Sequence, residues 1–115
     1  MRALNFYPGN YHANLLTGLK RCTIRLGDKT GKYAEGDVVW VTHGPRFEPR
    51  RKIFAAVIDA ISVKGLAQVT AEELAGENPD MKAAADLTAL LEAIYRRPVP
   101  ADALVSVIHF SKIVE

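Results

Sequence analysis

Apolar and polar residues along the 115-residue chain change period several times, and each change marks an element. Met1 to Tyr7 predicts a short opening strand with Leu4 and Phe6 on one face, ended by turn chemistry at Pro8-Gly9-Asn10. Tyr11 to Thr17 predicts a short helix, with Tyr11, Leu15 and Leu16 at helical spacing and Gly18 as its C-terminal cap. From Cys22 the pattern alternates, so Cys22, Ile24 and Leu26 face a core while Thr23 and Arg25 face the other way. A polar loop spans Gly27 to Gly36. Val38 to Val41 predicts a strand apolar enough to be buried on both sides. Thr42 to Lys52 reads as a hairpin-like loop with Pro45, Pro49 and the basic cluster Arg46, Arg50, Arg51 and Lys52. Ile53 to Val63 predicts a long strand closed by Lys64-Gly65, with Ala55, Ala56 and Ala60 small enough for tight packing.

The second half turns helical. Thr70-Ala71-Glu72-Glu73 matches a capping box and opens a short helix to about Ala75. Gly76-Glu77-Asn78-Pro79-Asp80 is expected to break it. Met81 to Tyr95 predicts a second helix whose stripe of Ala84, Leu87, Leu90, Leu91, Ile94 and Tyr95 is core. Arg96-Arg97-Pro98 ends it. Ala103 to Phe110 predicts a closing strand, with Leu104, Ser106, Ile108 and Phe110 on one face and Val105, Val107 and His109 on the other. This order does not alternate as a doubly wound sheet does. It predicts an α+β fold in which a small barrel or strongly curved sheet carries helices over one opening, and closure would remove exposed strand edges.

Length and a hydrophobic content of 49% suit one packed domain over residues 1–115. No apolar run approaches the roughly 18–20 residues of a membrane span. The start lacks a long apolar signal region, and the single Cys22 fits a reducing compartment, so a cytoplasmic location is expected. The net charge of +2 hides an asymmetry. Residues 1–52 hold ten Lys/Arg against four Asp/Glu, and residues 53–115 hold five against nine. A basic half of this kind points to a polyanion or phosphate partner on one face. Oligomeric state is left open.

Candidate chemistry centres on Gly18-Leu19-Lys20-Arg21-Cys22-Thr23-Ile24-Arg25. Lys20 lies three before Thr23, so it reaches that hydroxyl only if the turn after Gly18 breaks the pleat. Lysine, hydroxyl and arginine facing one hollow make either an anion site or a nucleophile with an activating base, and the alternative is a solvated strand face. Other chemistries drop out. Gly27-Asp28-Lys29-Thr30-Gly31-Lys32 is one residue short of a phosphate loop, and Tyr33 follows the lysine. His12, His43 and His109 have no ligand partner at metal spacing, so neither metal nor cofactor is expected. Ser62, Ser106 and Ser111 sit in or beside strand-like stretches, not in a nucleophile elbow. The remaining carboxylate outside regular structure is Glu77.

The stretch from Gly18 to Arg25, then Tyr33-Ala34-Glu35-Gly36-Asp37-Val38-Val39, then Glu77-Asn78 before a helix ending at Tyr95, resembles the ASCH family over nearly the whole chain. The resemblance implies a PUA-like small β-barrel with helices bordering a cleft, a fold associated with RNA and modified nucleosides. Within the family, Lys20, Thr23 and Glu77 are similar in placement to residues of small bacterial amidohydrolases acting on N4-acetylcytidine. That similarity implies Thr23 as nucleophile, Lys20 as its base and Glu77 as proton donor to the leaving amine. Arg25 and Asn78, and Arg46, Arg50 and Arg51 of the basic loop, are expected to bind substrate, the alternative for the loop being an ordinary solvated one. The partner implied is a modified nucleoside or RNA. Departures at Arg21-Cys22, Leu26-Gly27, Pro79-Asp80 and the basic loop bear on substrate more than on fold. Two rivals remain: a non-catalytic RNA-binding module with Trp40 or Tyr33 stacking bases, and a ribonuclease with Lys20 as base and Arg25 on the phosphorane.

Overall fold

The computed structural model describes residues 1–7, 12–17, 20–45 and 49–114. The Pro8-Gly9-Asn10 turn, the Gly18 cap and Arg46 lie outside the described residues. The elements run β1 (Ala3–Phe6), α1 (His12–Thr17), β2 (Cys22–Leu26), β3 (Val38–His43), β4 (Arg51–Gly65), a 3-10 turn (Leu66–Gln68), α2 (Ala71–Glu77), α3 (Ala84–Tyr95) and β5 (Leu104–Lys112). Five strands form one mixed sheet in the order β1-β3-β4-β5-β2, parallel between β1 and β3 and antiparallel elsewhere.

The 15-residue β4 is the spine of this sheet. It extends past Val63 through Lys64-Gly65, because its far half pairs with β5 up to Gly65–Leu104. A register shift between Ile58 and Ala60 inserts Asp59 as a bulge. Before it the inward positions are Ala56 and Ile58, and after it Ile61 pairs with the inward Ile108. One inserted residue thus moves the buried face from even to odd positions and bends the strand.

The bend curls the sheet into a half-barrel. Flat, the outer strands β1 and β2 would lie about 19 Å apart at roughly 4.8 Å per strand. Instead the Arg25 guanidinium of β2 sits 4.9 Å from the Phe6 ring centroid of β1. The sheet is thus the strongly curved form of the expected architecture, with β1 and β2 as its two edges.

Each side of the sheet has a core. On the concave side Leu4, Tyr33, Val39, Val41, Ile58, Ile108 and Phe110 pack together with Leu15. On the other side α2 and α3 cover Cys22, Ile24, Leu26, Val105 and Val107 with Leu74, Leu87 and Leu91. β5 is therefore buried on both faces, as its continuous apolar run requires. β3, expected to be buried on both sides, has Val39 and Val41 buried but Val38 exposed.

The Thr70 capping box forms as predicted. Two helix bounds move. α3 starts at Ala84, not Met81, because Asp86 Oδ2 accepts the amides of Lys82 and Ala83 and sets the helix start there. α2 continues through Glu77, so Gly76 does not break it. A Cβ at Gly76 would lie 2.9 Å from the Cys22 Cβ. Glycine is there because the last turn of α2 presses directly onto β2.

Candidate active site in the seam of the half-barrel

The alternation of β2 sets the first half of the site. Its odd positions Thr23 and Arg25 pair with Ile108 and Ser106 of β5 and face the concave side. Thr23 is 2% exposed. Lys20 precedes the strand and is buried, 5% exposed; the turn after Gly18 lies outside the described residues.

α2 supplies the second half. Glu77 was expected in a loop between helices, but it is the last residue of α2, brought to β2 by the contact at Gly76. Lys20 Nζ donates to the Glu77 carbonyl at 2.5 Å and lies 2.9 Å from Glu77 Oε2. The same Oε2 accepts the Ile24 N–H at 2.9 Å. Arg25 Nε donates to Thr23 Oγ1 at 2.9 Å. Thus the lysine is joined to the glutamate and the threonine to the arginine, two hydrogen-bonded pairs side by side.

Phe6 ties the pairs together. Its ring has Lys20 Nζ at 5.4 Å and Arg25 Cζ at 4.9 Å from the centroid, within cation–π range, and it leans on Phe110 at 5.9 Å. Burial is the largest influence on the Lys20 ammonium and holds it below its ordinary value of 10.5. The Glu77 charge pulls in the opposite direction, and Arg25 adds to the lowering. Burial, followed by the Glu77 charge, pushes the neighbouring Cys22 thiol up to about 12, so this cysteine is packing and not a nucleophile.

Phe6 and Tyr7 of the β1 edge, Thr23 and Arg25 of the β2 edge, Glu77 and Tyr95 wall a small solvent-open cleft with about 50 Å³ of free space; Lys20, joined to Glu77, is not part of its wall. The Tyr95 hydroxyl, at the end of α3, accepts the Leu26 N–H at 3.3 Å. Among the described residues no group of three His, Cys, Asp or Glu side chains comes close enough to hold a metal ion.

The other candidate residues fall elsewhere. Asn78 is buried, but its Oδ1 accepts the Asp80 N–H at 2.9 Å and shapes the turn behind Glu77. Arg50 and Arg51 are exposed around the start of β4 and do not line the cleft. Tyr33 is 4% exposed with its hydroxyl donated to the Ala3 carbonyl, so it cannot stack on a base. Trp40 is half-buried with Lys52 Nζ 4.6 Å from its ring centroid. Sequence reasoning missed Phe6 and read Tyr95 only as core. The Tyr95 hydroxyl at a helix end was the available signal; nothing local marked Phe6.

No family model matches the chain, and no curated protein matches it significantly. Solved structures do. The crystal structure of an ASCH domain from Lactobacillus crispatus superposes with a TM-score of 0.70 at 20% identity, covering 96% of this chain and 78% of that one. A DUF984 protein from Enterococcus faecalis matches with a TM-score of 0.70 at 13% identity, covering 98% of this chain and 76% of that one. The fold is of ASCH type.

Proposed function

We propose that the cleft binds a modified cytidine and hydrolyses an acylated exocyclic amine on it, with Thr23 as nucleophile, Lys20 as base and Glu77 as acid. The observation that carries this reading is the buried Lys20–Glu77 pair, 2.9 Å apart, beside a buried threonine on an open cleft. An exposed ion pair would contribute little and mean little. A buried one must overcome a desolvation penalty and is weak as a stabilising device, which favours a chemical use.

The pair also has the right proton content. Moving one proton across the 2.9 Å contact turns ammonium and carboxylate into amine and carboxylic acid. The first is the base that a threonine hydroxyl needs. The second is the acid that a leaving amine needs. In the reaction, Thr23 Oγ1 bonds to the acyl carbon as its proton passes to Lys20. The carbon–nitrogen bond then breaks, and the cytidine nitrogen takes a proton from Glu77. Water attacks the Thr23 ester, releases the carboxylic acid and restores the hydroxyl. Arg25, already on Thr23 Oγ1, places positive charge beside the carbon where an oxyanion develops.

The non-catalytic reading loses one of its two stacking candidates with the burial of Tyr33 and keeps the half-buried Trp40. The test is incubation of the purified protein with N4-acetylcytidine, following cytidine chromatographically. Turnover is expected in the wild type and absent in Thr23→Ala. No turnover by a folded wild type, or turnover retained in Thr23→Ala, refutes the proposed roles.

A further inference from the structure

Two side chains cap the free edge of β2, and one of them keeps a donor unspent. The Arg21 carbonyl accepts the Phe110 N–H at 3.0 Å and the Gly27 N–H donates to the Leu104 carbonyl at 2.8 Å, so the odd residues of β2 turn their backbone toward β5. The even ones, Ile24 and Leu26, therefore present their amides to the open edge of the sheet. Glu77 Oε2 accepts the Ile24 N–H at 2.9 Å, and the Tyr95 hydroxyl accepts the Leu26 N–H at 3.3 Å. The capped amides stand in a row, two residues and so about 7 Å apart.

The capacity left on the two caps differs. Glu77 Oε2 also holds Lys20. A tyrosine hydroxyl has a proton to give as well as lone pairs to accept with. Tyr95 accepts from Leu26, and among the described residues its own proton meets no acceptor. Capping the strand edge uses only a lone pair. The ring is held firmly: it packs against the helix-side core, and α3 ends directly after it at Arg96, whose N–H bonds the Glu92 carbonyl at 2.8 Å. Tyr95 and Glu77 both line the cleft. A fixed hydroxyl with an unspent donor on a cleft wall is a group that can orient a ligand and discriminate between ligands.

We propose that the Tyr95 hydroxyl donates a hydrogen bond to the 2-carbonyl of the pyrimidine and sets the cleft's preference for a base that carries it. The inference rests on the reading of the cleft as a site for an acylated cytosine amine. On that ring the amine and the 2-carbonyl flank one ring nitrogen and share one edge. With the amine at Glu77, the carbonyl lies toward the next cap along β2. The free space of about 50 Å³ takes a ring edge and not a whole nucleoside, so this edge enters and the sugar stays in solvent. The contact is the same before and during acyl transfer, so Tyr95 selects the substrate and takes no part in the proton transfers.

The test is NMR titration of the full chain with 1-methylcytosine and with 4-aminopyrimidine, which keeps the amine and the ring nitrogen but lacks the carbonyl. The wild type is expected to bind 1-methylcytosine about tenfold tighter, as one hydrogen bond allows. In Tyr95→Phe that advantage is expected to vanish through weaker binding of 1-methylcytosine alone, and KM for N4-acetylcytidine to rise about tenfold with kcat unchanged. A role confined to capping Leu26 would weaken both ligands together, which overturns the proposal, as does equal affinity of the two for the wild type. Should the variant not fold, wild type carrying 13C-labelled tyrosine decides. The Tyr95 signal is expected to move with 1-methylcytosine and not with 4-aminopyrimidine, and equal movement overturns the assignment. If both ligands bind alike, the pyrimidine reading of the cleft stands and only the role of Tyr95 falls; if neither binds the folded protein, both fall.

Discussion

Replacing Gly76 by alanine tests the contact that brings the two halves of the site together. The added Cβ would sit 2.9 Å from Cys22 Cβ. Carbon atoms rest at about 3.5–4.0 Å, so α2 and β2 must part by roughly 1 Å. Overpacking of this kind costs about 1–3 kcal/mol. Alanine returns up to about 1 kcal/mol through helix propensity. The balance is a loss centred on about 1 kcal/mol. With urea slopes of about 1–2 kcal/mol per molar for a chain this size, the denaturation midpoint falls by about 1 M. Opening by 1 Å also stretches the 2.9 Å contacts of Glu77 Oε2 to Lys20 and Ile24 beyond hydrogen-bond range, so any turnover falls with stability. Gly31→Ala is the control, because a Cβ there meets nothing within 4 Å, and its midpoint stays within about 0.5 kcal/mol of wild type. A Gly76→Ala protein as stable as Gly31→Ala would refute the reasoning, since α2 would then not be held against β2 as described.

Four further outcomes follow from the same geometry. Lys20→Met leaves the Glu77 carboxylate buried without its cation and is expected to cost about 3–5 kcal/mol by urea denaturation, while Lys20→Met/Glu77→Leu recovers much of it; additive losses would deny the coupling. The Lys20 ammonium, followed by NMR of 13C-labelled lysine, is expected to titrate below 10.5 and lower still in Glu77→Gln, since Glu77 is the charge holding it up; an upward move would contradict the pairing. The Cys22 thiol keeps its proton in the folded state up to about 12 but loses it near 9 when unfolded, so between pH 9 and 10 its contribution to stability declines as pH rises. The depressed Lys20 acts the other way, because below 10.5 the unfolded chain binds its proton more tightly. The Cys22 contribution is therefore read as the difference between wild type and Cys22→Ala, with the wild type losing more over that pH range; parallel curves would reject it. Phe6→Leu removes the ring shared by Lys20 and Arg25 and is expected to reduce turnover about tenfold or less, with Phe6→Tyr closer to wild type; a Leu variant with full turnover would show that the ring does not position them.

Much of the fold was legible because periodicity encodes which face a residue takes. The alternation of β2 put Cys22, Ile24 and Leu26 against a core and Thr23 and Arg25 on the other side, and the folded chain makes the first the helix-covered core and the second the cleft wall. The stripe of α3 placed Leu87 and Leu91 in the core, and the Thr70 box opened α2. Where the reading failed, a tertiary contact overrode a local preference. Gly76 is a poor helix residue by propensity, yet the helix runs through it because β2 lies too close for any side chain. Val38 looked buried because its run is apolar, but at the start of β3 it is 44% exposed.

From the sequence alone come the nature of the reactive groups and the face two of them take: a threonine and an arginine on a strand whose other side is core, with a lysine just ahead of it. Which groups meet was decided only by the folded chain. Lys20 and Glu77 are 57 residues apart and touch because α2 presses on β2 through a glycine. Phe6 and Arg25 lie on opposite edges of a five-stranded sheet and touch because a bulge at Asp59 bends its spine. A repeat of two or 3.6 residues fixes direction within an element and is silent on the distance between elements. Curvature and close approach set that distance, and they belong to the whole sheet.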